Sequence, residues 1–398
     1  MAVVVGIDVA KEFHWASASD AQTSDVLLDR RVDNEPPSID ELIEQLRRLQ
    51  VEHGAVTVGI DVVGGIASLL AVMLAEAGFR LVHVPGLAVN RARQGTSGGE
   101  HKSDPRDARV IAELVRSRDD LRPLELGSEL DAELRLLVAH RRELVTDQTR
   151  RIGRLRDLLA AVHPGLERVV DPTRKASLWL LGRYVTASEI RRAGGRRLTD
   201  HLLHAGHVRR AHAERLAEDA LAAARAQQTI VPGERVAADL VRELAREALT
   251  VRERLATLDA QLEEALSRHP DAALIRSLPG MGATLTAEFI AEAGGINRFP
   301  TADRLAAAAG LAPILKQSGK VRYLRRANGG NKTLKRVFYQ SAFCSLNQPA
   351  SRAFYARKRA EGKRHHQALI ALARRRVDVL HAMLRTREPY RLDHAKAA

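Results

Sequence analysis

The chain has 398 residues, more than one domain usually holds, and 45% of them are hydrophobic, enough to fill more than one core. Lys and Arg total 63 against 49 Asp and Glu, and the net charge of +14 favours a polyanionic partner, nucleic acid before an anionic membrane surface. No apolar run approaches the ~18 residues of a membrane span, the N-terminus lacks the basic flank and cleavage site of a secretory leader, and the single cysteine, Cys344, excludes an intrachain disulfide and fits a reducing cytoplasm.

Residues 1–120 read as α/β. Ala2 to Val9 is a short apolar run ending in Gly6-Ile7-Asp8-Val9, the pattern of a central buried strand. Phe13 to Ser19 alternates, and Val26 to Val32 supplies a third strand. After the breaker Pro36-Pro37, the residues Ile39, Leu42, Ile43, Leu46 and Leu49 recur at helical spacing. Val56, Val58 and Ile60 alternate into Asp61, Gly64-Gly65 opens an Ala/Leu helix to Ala77, and Arg80 to Val84 gives a fifth strand. The order βββαβαβ is that of a ribonuclease-H-like sheet.

Residues 121–270 become helical and charge-rich. Val241, Leu244, Ala248, Val251, Leu255, Leu258, Leu262 and Ala265 follow the alternating three-four spacing of a coiled-coil seam. An intramolecular helical hairpin and a dimer contact both satisfy such a seam, because heptads do not say whether the partner lies in the same chain. His140-Arg141-Arg142 and Arg150-Arg151 are compatible with RNA contact, and equally with a solvated helix face.

Residues 271–398 read as a mainly α, markedly basic domain. Leu278-Pro279-Gly280-Met281-Gly282 precedes a helical run from Thr284 to Ala293. It is either an ordinary Pro-Gly turn or the hairpin of a helix-hairpin-helix element, in which Gly280 and Gly282 admit close backbone approach and the next helix N-terminus meets a phosphate. Cations cluster beyond Gly310: Lys316, Lys320, Arg322, Arg325, Arg326, Lys332, Lys335 and Arg336. His365-His366, with no cysteine or spaced acid beside it, is no zinc site. Aromatics at 4% give little support to an extended base-stacking surface.

Four carboxylates stand where an α/β nuclease needs them. Asp8 ends the first strand and Asp61 the fourth, and an acid within a Val/Ile run is costly without a partner or a metal. Asp104 and Asp107, in Lys102-Ser103-Asp104-Pro105-Arg106-Asp107, share a helix face at spacing i, i+3. Singly, Asp104 reads as a cap before Pro105 and Asp107 as a surface acid. Together, the four suit phosphodiester chemistry, in which carboxylates hold Mg²⁺ or Mn²⁺ against the attacking and leaving oxygens. In the basic region, Lys316-Gln317-Ser318-Gly319-Lys320 sets a small hydroxyl between two lysines. That setting suits a nucleophile at a DNA phosphate, although on residue grounds alone a Ser-Gly turn is usually structural.

Gly6-Ile7-Asp8-Val9-Ala10-Lys11, Gly59-Ile60-Asp61 with Gly64-Gly65, and Lys102-x-Asp104-x-x-Asp107-Ala108 together resemble the bacterial insertion-sequence transposases with a RuvC-like DEDD domain, relatives of the Piv DNA invertase. Ser277 to Gly282, Ala309-Gly310-Leu311-x-Pro313, Gln317-Ser318-Gly319-Lys320, Asn328 to Lys332 and Gly362-Lys363 resemble the C-terminal domain of the same family. The resemblance implies that Asp8, Asp61, Asp104 and Asp107 bind metal and that Ser318 is the recombination nucleophile. It further implies DNA substrates, a structured guide RNA, a homo-oligomer (dimer or tetramer) and a place at the bacterial nucleoid. In that family the second acid is usually Glu; here it is Asp61, one methylene shorter. Two other functions fit parts of the sequence. A junction resolvase or nuclease using metal alone leaves Ser318 unexplained, and a DNA-binding scaffold leaves Asp8 and Asp61 without a role.

Overall fold

A computed structural model of the chain describes residues 2–62, 64–95, 103–124, 127–206, 208–319, 321–325 and 327–391. Lys102, Lys320 and Arg326, expected among the nucleic-acid contacts, lie outside them. The chain divides into two compact units, Met1–Gly127 and Ser128–Ala398. Residues 121–270 and 271–398, expected as separate regions, thus largely share the second unit.

In the first unit β1 (Ala2–Asp8), β2 (Phe13–Asp20) and β3 (Val26–Asp33) form an antiparallel meander. The helix α1 (Pro36–His53) starts on its proline pair and returns the chain to β4 (Ala55–Ile60), which lies parallel to β1. Next come α2 (Ser68–Glu76), β5 (Arg80–His83) parallel to β4, then α3 (Gly86–Gln94), α4 (Asp104–Ser117) and a short β6 (Arg122–Pro123). The strand order β3-β2-β1-β4-β5-β6 is the ribonuclease-H-like arrangement expected from the sequence, with β6 added at the edge.

The period-two pattern of β1 and β4 sends their side chains to two different layers. Val3, Val5, Ile7, Val56, Val58 and Ile60 join Ile39, Leu42 and Leu46 of α1 and Leu70 and Leu74 of α2 in one core. The opposite face meets α4 through glycine. A Cβ on Gly6 would stand 2.1 Å from the Ala108 carbonyl oxygen, and one on Gly59 would stand 2.4 Å from Val115 Cγ2. The helix rests almost directly on the strand backbone.

The second unit is built on two long helices, α5 (Glu129–Val162) and, after α6 (Pro164–Val169), α7 (Lys175–Leu181), α8 (Ala187–Gly206) and α9 (Arg210–Ala226), the helix α10 (Glu234–Arg268). Ion pairs Arg268–Glu133, Arg141–Asp259 and Arg151–Glu247, with Gln148 Nε2 donating to the Ala248 carbonyl, fix α5 and α10 as an antiparallel pair. The heptad residues Val241, Ala248, Val251, Leu258, Leu262 and Ala265 are buried within this unit. Of the two alternatives left open for the seam, the intramolecular one accounts for the burial of these residues. Arg141 and Arg151 pair with Asp259 and Glu247 of α10, whereas Arg142 and Arg150 stay exposed beside Glu292 and Asp147.

Beyond α10 come α11 (Ala272–Ser277), α12 (Ala283–Ala293), α13 (Ala302–Ala308), the strands β7 (Ile314–Ser318) and β8 (Val321–Arg325), then α14 (Lys332–Cys344), α15 (Pro349–Ala360) and α16 (His365–Thr386). Leu134 and Val138 of α5 and Leu262 and Leu266 of α10 share a core with α11, α12, α14 and α16, while Leu155, Leu159 and the first half of α10 pack with α6–α9.

Candidate functional site

Asp8 and Asp61 lie at the C-terminal edge of the parallel strands. Ile7 pairs with Ile60, so Asp8 and Asp61 follow side by side on neighbouring strands. Strand alternation puts both on the α4 layer, where Asp104 and Asp107 occupy the first turn of that helix. Asp107 is 4% exposed, and both its oxygens accept from Arg93 Nη1 at 2.8 and 2.7 Å. Arg93 lies on α3 and also donates to Asn90 Oδ1 at 2.9 Å. Asp104 is half-buried, the first residue of α4 after Ser103. Ser103, not Asp104, is thus the cap, and its side chain makes no capping hydrogen bond.

Burial pushes the Asp61 carboxyl above its ordinary range, the Val9 backbone N–H pulls it down, and the neighbouring Asp107 charge raises it again. Asp61 Oδ1 is buried with no hydrogen-bond partner. A buried, unsatisfied carboxylate oxygen next to a second carboxylate is expensive unless a cation satisfies it, and hard oxygen donors suit a divalent ion of the magnesium type. The donor set fits such an ion in chemistry. Among the described residues, though, no three Asp, Glu, His or Cys side chains converge as ligands. One physical reason is visible: the Arg93 guanidinium already holds both oxygens of Asp107. Sequence reasoning missed Arg93, since nothing in Arg91-Ala92-Arg93 says which cation of a separate helix turns inward.

The basic candidates fall into three places. Lys316, Ser318, Gly319, Arg322 and Arg325 belong to the β7–β8 hairpin, in which every strand residue is exposed. Ser318 pairs with Val321, and Gly319 begins the tight turn at φ +54°, a left-handed value that glycine adopts without strain. Lys316 and Ser318 point to the same face, with Tyr323 and Val321 opposite them. Lys332, Lys335 and Arg336 lie on α14, where Asn331 caps the helix by accepting from Thr333 and Leu334 N–H, and Arg336 pairs with the buried Glu288 at 2.6 Å.

Gly280 and Gly282 form the third place, between α11 and α12. Gly280 adopts φ +86°, and a Cβ there would stand 2.5 Å from the Ser341 carbonyl oxygen. The close approach read from the sequence is therefore made to the protein's own α14. Arg376, whose guanidinium burial pushes it down to about 10, ties this turn to α14 by donating to the Pro279 carbonyl and to Ser341 Oγ. Gly282 caps α12 with open space around it.

A ribonuclease-H-like sheet with acids at its strand ends, followed by a basic helical unit, defines an α/β class in which nucleic-acid processing is common. Comparison narrows it. Residues 5–164 match the DEDD transposase family model, and residues 272–356 match the transposase IS116/IS110/IS902 family. The insertion element IS116 protein of Streptomyces clavuligerus is 42% identical over 384 residues, covering 96% of this chain and 94% of the relative. The insertion element IS900 protein of Mycobacterium paratuberculosis is 42% identical over 395 residues, covering 98% and 97%. The chain belongs to the IS116/IS110/IS902 family of transposases, DNA-processing enzymes of insertion elements. Among solved structures, T. thermophilus RuvC in complex with a Holliday junction substrate aligns with 31% of this chain and 100% of its own, at 18% identity and a TM-score of 0.24, too slight a likeness to carry an argument. Among the described residues, no helix is long and apolar enough to cross a membrane.

Proposed function

We propose that this transposase cuts and rejoins DNA with Ser318 as the nucleophile and with Asp8, Asp61, Asp104 and Asp107 holding Mg²⁺, or Mn²⁺ in its place. The observation that carries the metal half of the reading is Asp61, whose buried Oδ1 lacks a partner and whose carboxyl is raised by burial first and by the Asp107 charge second. When bound, the cation neutralises charge at the scissile phosphate and stabilises the attacking and leaving oxygens.

The chain's own groups divide the remaining work. Asp8 and Asp61 supply donors from adjacent strand ends, and Asp107 supplies one from α4 once Arg93 yields an oxygen. Ser318 Oγ forms a bond to phosphorus as the bond from phosphorus to one deoxyribose oxygen breaks. The serine proton leaves to solvent or a base, and the departing oxygen takes one up. The number of phosphoester bonds is unchanged, so the reverse attack can rejoin the strand. Lys316, on the face of Ser318, and Lys332, Lys335 and Arg336 on α14 supply positive charge for phosphates. A guide RNA and self-association belong to the same proposal, and the surplus of +14 supports polyanionic partners in general.

Incubation with nicked or cruciform DNA and Mg²⁺, followed by mass spectrometry of the trapped complex, tests the proposal. Nucleotide on the Ser318 peptide, lost in Ser318→Ala and in Asp104→Ala, is the expected result. Cleavage without adduct in the wild type and in Ser318→Ala would return the metal-only nuclease to first place.

A further inference from the structure

The second unit contains a groove of about 1050 Å³ lined by the segments that flank the β7–β8 hairpin and by α14 and α16. Its apolar lining is Leu311, Pro313, Tyr339, Ile370 and Ala371. Its charged lining is Lys332, Lys335, Arg336, Lys363 and Arg374 against one carboxylate, Glu361. Arg374 is anchored by Asp303 and Asp378, and Arg336 by Glu288, so those two guanidinium groups are held in place. Glu361 is held by Lys358 at 2.9 Å.

Duplex phosphates need cations but not an apolar hollow, because the bases of a duplex are stacked inside it. A lining both cationic and apolar matches a different ligand, a nucleotide whose base has left the stack while its phosphates remain at the surface. The volume lies at the upper end of ligand clefts, roughly 300–1,000 Å³, so a nucleotide fits with room to spare. The scarcity of aromatics argues against an extended stacking surface, but one half-buried ring, Tyr339, suffices for one base.

We propose that this groove captures an unstacked nucleotide of a single strand, the base against Tyr339, Ile370 and Ala371 and the flanking phosphates on the lysines. The proposal rests on the nucleic-acid reading of α14 above.

The test uses the full chain and fluorescence anisotropy with three oligonucleotides of about 12 residues, within the usual site sizes of single-strand grooves. These are oligothymidine, the same length of abasic sugar-phosphate, and oligouridine. One base stacked in the groove should make oligothymidine bind about tenfold tighter than the abasic strand of equal charge. Tyr339→Leu, which keeps apolar volume but removes the ring, and Ala371→Leu, which fills the apolar lining, should bring the two within about twofold of each other while melting as the wild type does. Equal binding of the two strands by the wild type, or an unchanged preference in a folded Ala371→Leu, overturns the proposal. Whether oligouridine or oligothymidine wins identifies the strand as RNA or DNA, and a base-dependent preference in either supports capture. Lys332→Gln with Lys335→Gln separates the two readings. If that pair leaves binding of every strand unchanged, the nucleic-acid reading of α14 fails; if it weakens all three equally, while bases make no difference, only the pocket fails.

Discussion

Gly6 is buried, and a whole helix leans on the absence of its side chain. In Gly6→Ala the new Cβ would stand 2.1 Å from the Ala108 carbonyl oxygen and 2.3 Å from the Ala112 nitrogen, and real Cβ contacts under 3.0 Å are essentially never seen. Both neighbours are backbone, so no rotamer change relieves the clash, and α4 must lift by about 1 Å. Overpacking of this kind costs about 1–3 kcal/mol, which lowers the unfolding temperature of the N-terminal unit by about 4–12 °C. The same lift moves Asp107 and Asp104 away from Asp8 and Asp61. A misplacement of about 1 Å at a reacting centre costs on the order of 100-fold in rate. Calorimetry and Mg²⁺-dependent strand cleavage measure the two effects. Gly153→Ala is the control: it lies inside α5 with nothing within 4 Å of its would-be Cβ, and should stabilise by about 0.5–1 kcal/mol. A Gly6→Ala protein that melts and cleaves like the wild type would refute the packing of α4 on β1.

Arg93→Gln leaves Asp107 buried without its guanidinium, at a cost of about 3–5 kcal/mol, and added Mg²⁺ should restore much of the lost melting temperature; no recovery would mean that Asp107 takes no cation. Leu258→Lys with Leu262→Lys should lower stability without changing the mass seen by light scattering, because both side chains are buried within one unit; a smaller assembly of unchanged stability would restore the dimer seam. Burial raises the Asp131 carboxyl, but the Ser128 hydroxyl and backbone N–H and the His269 ring together hold it below its ordinary value. Its stabilising contribution is therefore complete above the unfolded value near 3.8 and is lost as pH falls through the depressed folded value. Asp131→Asn keeps an acceptor for the Ser128 N–H but removes the charge facing His269 and the helix N-terminus, so it should cost about 0.3–1 kcal/mol at neutral pH and flatten the acid limb of a pH–stability curve.

The first unit was legible because its elements differ in period. Ala2 to Val9 is a short continuous apolar run, Val56, Val58 and Ile60 alternate, and Ile39, Leu42 and Leu46 recur by threes and fours, so strands and helix could be told apart. The two acids at strand ends were legible for a related reason, since an aspartate closing a Val/Ile run has few innocent explanations. Partners were not legible. A heptad records that a face is buried but not by which chain, and the face of α10 turned out to be covered by α5. Gly280 announced a close approach without naming what approaches. The β7–β8 hairpin was not legible, because Lys316, Arg322 and Arg325 interrupt the apolar alternation that marks a half-buried strand.

That hairpin has one more consequence. Val321, Tyr323 and Leu324 are 61%, 55% and 68% exposed, and among the described residues no third strand pairs with the two-stranded sheet. A lone ribbon of this kind is marginal in water, and fixing each backbone residue costs about 1–2 kcal/mol of conformational entropy. Whatever covers the ribbon must supply that ordering. Affinity would be reduced accordingly, but under the role proposed for Ser318 a hydroxyl firmly held only while substrate covers the ribbon would act as an interlock against random encounters with chromosomal DNA.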